Sequence, residues 1–156
     1  MVFFNFNFLI FLGVLLASNI SPKCVDGFEK KKFLTTKYDE ANIRNGPGLK
    51  NLIVYKILHK GYPLKIIGVF ENWKKIEDFS GRTGWISNSQ LSSDEFAIVT
   101  ANKAYIHMFP DSTSKLTAEA HKGVILSIIK CKEKWCKIIG KGHQGWIKKN
   151  ILWGVE

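Results

Sequence analysis

A short stretch of this sequence is written twice, and the repetition restricts what the chain can fold into. GRTGWISNSQL stands at 81–91 and GHQGWIKKNIL at 142–152, so that Trp85 and Trp146 lie 61 residues apart. Other matches run in the same order at separations of 61 to 63 residues: ENWKKI (71–76) with EKWCKI (133–138), HKGYPLKII (59–67) with HKGVILSII (121–129), Ile43 and Pro47 with Ile106 and Pro110, and Leu91 with Leu152. We therefore interpret the chain as a tandem duplication of a unit of about 60 residues.

Each unit has the pattern of a small all-β domain. Apolar stretches of five to eight residues, such as LIVYKIL (52–58) and PLKIIGVF (63–70), are bounded by turns that contain Gly and Pro. After residue 21 no segment keeps an i, i+3, i+4, i+7 apolar pattern over three turns, so we predict no long helix. ENW (71–73) and EKW (133–135) should be hairpin tips, and each unit a small barrel or sandwich.

The first unit resembles the bacterial SH3-like domain. It has that family's leading N-[VI]-R-x-G-P-G strand as NIRNGPG (42–48), a Lys-Gly turn, the W-x-K-[VI] strand as WKKI (73–76), and the closing G-x-x-G-W-[VI] as GRTGWI (81–86). The second unit departs from the pattern at 107–111 and matches well over its latter half, so that the resemblance covers about 41–153. It implies two tandem SH3-like β-barrels of about five strands each, and a module often linked with cell-wall binding and with peptidoglycan hydrolases.

The first 22 residues are predicted to be a signal peptide. Residues 1–20 contain no charged side chain, and the apolar run 3–17 is shorter than the roughly 20 residues that span a membrane as a helix. The alternative is an uncleaved N-terminal anchor, which would be the chain's one link to a membrane. The organisation that we predict is a signal helix at 1–22, a flexible basic segment at 23–37, a first SH3-like domain at 38–92 and a second at 98–155.

The charge of the chain favours an anionic partner. It has 23 basic and 13 acidic residues, a net charge of +10, and the basic residues are spread over both units. Lys outnumbers Arg by 21 to 2, which is unlike a site built on bidentate recognition of phosphates or bases. Together with export, this argues against nucleic acid as the partner. A basic surface that serves only solvation is the alternative to a specific anion site.

We find no residue pattern of a catalytic or metal centre, and predict a non-enzymatic protein without cofactor or metal. His59 and His121 occupy matching His-Lys-Gly turns, where a polar turn residue is a simpler interpretation than a paired ligand or a pH sensor. Cys136 with His121 or His143 lacks an orienting acid or an oxyanion-supplying turn. Cys131 and Cys136 are separated by four residues, without the C-x2-C or H-x3-H spacing of zinc sites.

The aromatic residues are candidates for a binding surface. Because little else is large enough to fill so small a barrel, we expect most tryptophans to be core, and Trp85 and Trp146 to be at least half buried. Trp73 and Trp135 lie beside turns and should line grooves, with further wall residues in the first unit: Tyr55, Tyr62 and Phe70. The predicted ligand-binding residues are Arg44, Tyr55, Trp73 and Arg82 in the first unit, and Trp135 and Lys141 in the second.

Cys131 and Cys136 are predicted to form a disulfide. If Glu133 and Lys134 are the hairpin tip, the two cysteines are directly opposed, and Cα atoms about 4.5 Å apart fit the range that a disulfide accepts. An oxidising compartment would let the bond persist. The alternative is two unpaired thiols, one facing the core and one the solvent. Cys24 is then the odd cysteine.

These observations predict a monomeric, non-catalytic, exported binding or adaptor protein of the cell envelope, periplasmic or extracellular, whose ligand is peptidoglycan or an envelope protein. One alternative is a protein–protein interaction module without affinity for the wall, and another is an accessory subunit of a cell-wall hydrolase. An intracellular nucleic-acid-binding barrel would suit the charge but not a signal peptide.

Overall fold

The computed structural model describes residues 31–156; the predicted signal peptide, Cys24 and the start of the predicted basic segment lie outside them. The first of its two antiparallel sheets consists of β1 (Phe33–Thr36), β2 (Ala41–Arg44), β3 (Ile53–Ile57), β4 (Pro63–Phe70), β5 (Trp73–Glu77), β6 (Thr83–Ser87) and β7 (Leu91–Ser92). The second consists of β8 (Phe96–Val99), β9 (Lys103–His107), β10 (Leu116–His121), β11 (Ile125–Lys132), β12 (Trp135–Gly140), β13 (His143–Lys148) and β14 (Leu152–Trp153). The helices of the described residues are two 3-10 turns, Asn88–Gln90 and Lys149–Ile151. Within residues 31–156, no helix has the length and apolarity to cross a membrane.

Both sheets have the same strand order. In the first it is β3-β2-β6-β5-β4-β1-β7 and in the second β10-β9-β13-β12-β11-β8-β14, so that every strand has its counterpart seven strands later. Each sheet surrounds its own cluster of buried apolar side chains. The all-β prediction of two tandem SH3-like barrels is therefore confirmed.

The first barrel begins earlier in the chain than the sequence predicts. Residues 33–36, which were assigned to a flexible basic segment, form β1, and β1 pairs with β4 and β7. The lysines before Phe33 obscure this strand in the sequence, and its polar residues are satisfied by long-range contacts. The Thr36 hydroxyl donates to the His59 carbonyl at 2.6 Å and accepts from the Tyr62 amide at 2.9 Å. With β1 and β7 in the first sheet and β8 and β14 in the second, each sheet has seven strands instead of about five, and the second sheet begins at Phe96 rather than at residue 98.

Strand alternation explains the repeated Gly-Trp-Ile. On β6, Gly84 and Ile86 are buried on the inner side, whereas Trp85 between them points outward. A Cβ on Gly84 would lie 2.3 Å from Cγ2 of Ile43, so glycine is what lets β2 and β6 approach each other this closely. At the matching Gly145, a Cβ would lie 2.5 Å from Cγ2 of Ile106. The motif marks a close approach of two strands over each core.

The expectation that most tryptophans fill the cores is wrong. The buried apolar residues of both clusters are aliphatic side chains and Cys136. All four repeated tryptophans are half-buried at outward positions: Trp73, Trp85, Trp135 and Trp146. Trp85 and Trp146 thus have the expected burial, but Trp73 and Trp135 do not differ from them. Alternation decides this for Trp85 and Trp146, because the residues on either side of each are buried: Gly84, Ile86, Gly145 and Ile147.

The two barrels pack against each other. Residues 93–95 alone connect β7 to β8. The ring of Trp153, on β14, lies edge-to-face with the rings of Phe33 and Phe79 of the first barrel, at centroid distances of 5.1 and 5.7 Å. The Phe96 ring lies so close to Gly61 that a Cβ there would be 2.9 Å from it. Aromatic contacts between β14 and the first barrel therefore hold the duplicated units together.

Candidate functional site

A row of outward side chains crosses three adjacent strands of the first barrel. Arg44 on β2 is directly opposite Trp85 on β6, and Trp85 is directly opposite Lys75 on β5. Trp73 lies two residues before Lys75 and so shares its face. We call Arg44, Trp73, Lys75 and Trp85 the first tryptophan face. It combines two half-buried indoles with two cationic side chains.

Arg44 is also tied to its own loop. Its Nη1 donates to the carbonyl of Asn51 at 2.6 Å, which braces the segment between β2 and β3. Trp85 is the residue directly opposite Arg44 on β6. Arg44 therefore contributes to the shape of the first tryptophan face as well as to its charge.

The second barrel has a corresponding surface, the second tryptophan face, made of His107, Trp135, Lys137, Trp146 and Lys148. His107 is opposite Trp146, Trp146 is opposite Lys137, and Trp135 is opposite Lys148. His107 takes the place of Arg44; it is 8% exposed, and its ring meets that of Trp135 edge-to-face at 5.2 Å. The Lys148 ammonium lies 6.0 Å from the centre of the Trp135 ring, at the limit of cation–π attraction.

A cleft of about 460 Å³ opens beside Trp135. Its other lining residues come from the β11–β12 hairpin, the second 3-10 turn and the loop after β9: Ser112, Glu133, Lys134, Lys148, Lys149 and Asn150. Three lysines against one glutamate give the cleft a positive potential. The arrangement suits a ligand that stacks on an indole and carries negative charge or hydroxyl groups.

Arg82 and Tyr55 form a separate cluster at the far end of β5 and β6. These strands pair from Trp73 with Ser87 at one end to Glu77 with Thr83 at the other, a length of roughly 13 Å. The Arg82 guanidinium stacks on the Tyr55 ring at 4.1 Å, and its Nε donates to Oδ2 of Asp78 at 2.8 Å. The structure therefore brings Tyr55 and Arg82 together and places Trp73 elsewhere.

Asp78 is the residue of this cluster that sequence reasoning missed. Its side chain is 0% exposed, and Oδ1 accepts hydrogen bonds from the Ser80 amide, the Ser80 hydroxyl and the Arg82 amide at 2.9, 2.7 and 2.9 Å. Burial acts to raise the pKa of Asp78, but the hydrogen bonds from Ser80 and Arg82 outweigh it and hold the pKa below the ordinary value of 3.8. An Asp followed by Ser at the second residue and Arg at the fourth was the available signal.

The aromatic wall expected in the first unit divides into two groups. Tyr55 and Tyr62 pack against the first core beside Asp78. Burial raises the pKa of Tyr55 to about 12, and the Asp78 charge adds to this effect. Phe70, in contrast, is opposite Trp73 on the β4–β5 hairpin. One end of the barrel thus carries the two tyrosines, and the other carries Phe70 with Trp73.

The second barrel lacks the Asp78 cluster. The strand registers, aligned on Gly84 and Gly145, show which residues correspond. The second barrel has Gly140 in place of Asp78, His143 in place of Arg82 and Ala118 in place of Tyr55. Lys141 is exposed in the β12–β13 turn, with a φ of 47°. Trp135 lies at the opposite end of β12. The structure does not bring Lys141 and Trp135 together.

Cys131 and Cys136 are directly opposed on β11 and β12, and Glu133 and Lys134 form the tip between them, as expected. The Cα atoms are 4.0 Å apart and the sulfur atoms lie at bonding distance. Cys136 is fully buried in the second core, whereas Cys131 is exposed. The geometry of this pair is compatible with a disulfide.

The three histidines outside the second tryptophan face are exposed. His59 and His121 are exposed, and His121 lies 3.1 Å from the Asn102 carbonyl and 3.3 Å from the Glu119 carboxylate. His143 is exposed on β13, while Cys136 is buried. Within residues 31–156, no group of His, Cys, Asp and Glu side chains has the arrangement of a metal site.

A match to a known protein family agrees with the duplicated architecture. The family model of the bacterial SH3 domain matches residues 37–93 and 101–154. The curated protein "Putative N-acetylmuramoyl-L-alanine amidase YrvJ" of Bacillus subtilis is 23% identical over 93% of this chain and 30% of its own length. Similar solved structures include NlpC2 from Trichomonas vaginalis (TM-score 0.36, 14% identity, 81% of this chain and 49% of that one). Another is an NlpC/P60 family protein from Bacillus cereus (TM-score 0.36, 13% identity, 78% and 55%). The chain thus spans less than a third of the curated relative and about half of these structures.

Proposed function

Because this chain belongs to the bacterial SH3 domain family, we propose that it is a non-catalytic, exported binding or adaptor module of the cell envelope. Its ligand is peptidoglycan or a protein of the envelope. Both barrels contribute, each through its tryptophan face. Residues 1–22 act as the signal peptide that brings the chain to that compartment.

The observation that carries this proposal is the pair of tryptophan faces. Each barrel presents two half-buried indoles beside cationic side chains on the same three strands. Aromatic faces contribute large contact areas at low entropic cost. The lysines around them add to a chain whose net charge is +10 and favour anionic surfaces. The name of the curated relative, an amidase acting on N-acetylmuramoyl-L-alanine, supports a wall setting.

Retention on purified sacculi tests this function. We expect the full-length protein to be retained at 0.15 M salt and less so at 1 M, because the screening length falls from about 8 Å to about 3 Å. Trp73→Ala combined with Trp135→Ala should weaken retention at least about tenfold. Tyr38→Ala, which removes an exposed aromatic outside both faces, should leave retention unchanged. No retention of the folded protein at low salt would contradict wall binding and favour a protein–protein module instead.

Export is tested separately. Cells are fractionated and the N-terminus of the mature protein is sequenced. We expect a new N-terminus close to residue 22 in the envelope fraction. An intact Met1 on soluble cytoplasmic protein would overturn the proposed localisation.

A further inference from the structure

We propose that the first barrel binds an oxyanion, a carboxylate or a phosphate, at the terminal amino groups of Arg82. The site is an open cleft of about 440 Å³, here called the Arg82 cleft, lined by Asn45, Tyr55, Lys75, Arg82, Thr83 and Trp85. This inference rests on the proposed function and deepens it, because it names the chemical group that the module recognises. It also assigns different ligand preferences to the two barrels.

The Arg82 side chain is held in one orientation by two contacts. Asp78, buried at the base of the β5–β6 loop, accepts from Nε at 2.8 Å. The ring of Tyr55 supports the face of the guanidinium at 4.1 Å. A guanidinium fixed both at Nε and over its face loses little freedom when a ligand binds. Asp78 and Tyr55 are therefore positioning residues for Arg82.

The terminal amino groups of Arg82 remain available to a ligand. Among residues 31–156, Arg82 makes one side-chain hydrogen bond, from Nε to Asp78, and its two Nη groups make none. The side chain is 55% exposed. The two Nη groups form the planar fork that matches the two oxygens of a carboxylate or the equivalent pair of a phosphate. The geometry therefore offers a bidentate site at the surface.

The neighbouring residues of the cleft complement an anion. Lys75, exposed and directly opposite Trp85, supplies a second positive charge. Thr83 and Asn45 supply a hydroxyl and an amide that can donate hydrogen bonds. Trp85 gives an apolar surface for the part of the ligand attached to its oxyanion. The Arg82 cleft thus continues one edge of the first tryptophan face.

The excess of Lys disfavours an extended surface of bidentate contacts, but Arg82 differs from the other basic residues of the chain. Of 23 basic residues, 21 are Lys and 2 are Arg. The other, Arg44, already uses its Nη1 on the Asn51 carbonyl. The second barrel has His143 at the matching position and Gly140 in place of Asp78. A guanidinium aligned by a buried carboxylate is therefore a feature of the first barrel.

The experiment titrates the 15N-labelled full-length protein with one pair of probes that differ in a single charge and with one phosphate. N-acetylalanine carries the carboxylate, N-acetylalaninamide lacks it, and glycerol 1-phosphate carries the alternative oxyanion. We expect saturable shifts of the Thr83 amide and the Trp85 indole with at least one oxyanion, with a dissociation constant on the order of millimolar. The oxyanion that binds with the lower dissociation constant identifies whether the natural ligand offers a carboxylate or a phosphate. The carboxamide should bind about tenfold more weakly than the carboxylate. Equal binding of acid and amide together with no response to the phosphate would overturn the proposal.

Variants separate binding from loop structure. Arg82→Lys keeps the charge but loses the planar fork, and should weaken oxyanion binding about tenfold. Lys75 lies outside the cluster of Asp78, Arg82 and Tyr55. Lys75→Gln should therefore weaken oxyanion binding several-fold without altering the melting temperature. Lys122→Gln, an exposed lysine of the second barrel, is the matched control and should change nothing. If Lys75→Gln and folded Arg82→Lys bind as the wild type does, Arg82 only braces its loop and the inference fails.

Sacculus retention distinguishes this inference from the proposed function. A protein retained on sacculi but indifferent to both oxyanions contradicts the Arg82 site and leaves wall binding intact. Oxyanion binding at Arg82 without retention on sacculi supports the site and contradicts the wall as its source.

Discussion

The Asp78 carboxylate organises the loop between β5 and β6. It accepts four hydrogen bonds from Ser80 and Arg82 although its side chain is fully buried. These bonds favour the charged form, which is why its pKa lies below the ordinary value of 3.8. A carboxylate of this kind stabilises the folded state only while it is ionised.

We expect the contribution of Asp78 to be complete above pH 5 and to be lost as the pH falls through 3.8 and then through its lower folded-state pKa. Asp78→Asn should lower the free energy of unfolding at pH 7 by about 1–3 kcal/mol. The difference between the two proteins should shrink below pH 4. Urea unfolding from pH 2.5 to 7 measures both curves. A difference independent of pH would contradict the role of the ionised carboxylate.

At the scale of single elements, the β11–β12 hairpin and its counterpart β4–β5 have the same turn geometry although their sequences differ. Both have two-residue tips whose first residue, Glu71 or Glu133, has a positive φ, of 47° and 52°. Cys131 and Cys136 flank the tip of the second hairpin, whereas the first has Val69 and Lys74 opposed at the same place. The first hairpin forms without a crosslink, so the cysteines are not required for the turn.

We expect a disulfide between Cys131 and Cys136 in protein recovered from the envelope. The loop that it closes is short, so its stabilisation should be about 2 kcal/mol in the chain-entropy model. Reduction should lower the melting temperature by several degrees and leave both barrels folded. The Cys131→Ser, Cys136→Ala variant should show no response to the reductant. Counting thiols in denatured, unreduced protein checks the bond directly, and two reactive thiols from this hairpin would contradict it.

At the scale of the whole molecule, the two barrels share an aromatic contact in which Trp153 of the second meets Phe33 and Phe79 of the first. Phe33 lies on β1, which the sequence assigned to a flexible segment. The ordering of β1 is therefore connected with the packing of the two barrels. An ion pair of Lys31 with Glu95, at 3.3 Å, spans the same region, though an exposed pair contributes little.

Trp153→Ala should uncouple the barrels. Removing a half-buried indole should cost about 2–3 kcal/mol, less than the 3–5 kcal/mol typical of a fully buried aromatic side chain. We expect the single thermal transition of the wild type to move lower and to separate into two in calorimetry. Trp135→Ala, which removes an indole away from this contact, should keep one transition. Unchanged cooperativity in Trp153→Ala would show that the barrels are coupled by other contacts.

What the sequence by itself determined is the part of this protein that depends on local periodicity. The duplication, the alternating strands, the two hairpin tips and the opposition of Cys131 and Cys136 all follow from spacings within a few residues or from the repeat. Such features are set by backbone geometry and turn chemistry, and they can be read from the sequence of each unit separately.

Only the tertiary structure decided which residues meet. It placed Trp73 and Arg82 at opposite ends of one ladder, turned the tryptophans outward, drew 33–36 into the sheet and made Asp78 the anchor of Arg82. The pairing of 33–36 with β4 and β7 depends on segments that are distant in the chain, whereas the bond between Asp78 and Arg82 joins residues four apart and only the burial of Asp78 depends on the fold. The glycine that lies under Ile43 can be recognised only when the partner strand is known, because burial and close approach belong to pairs of segments and not to either one alone.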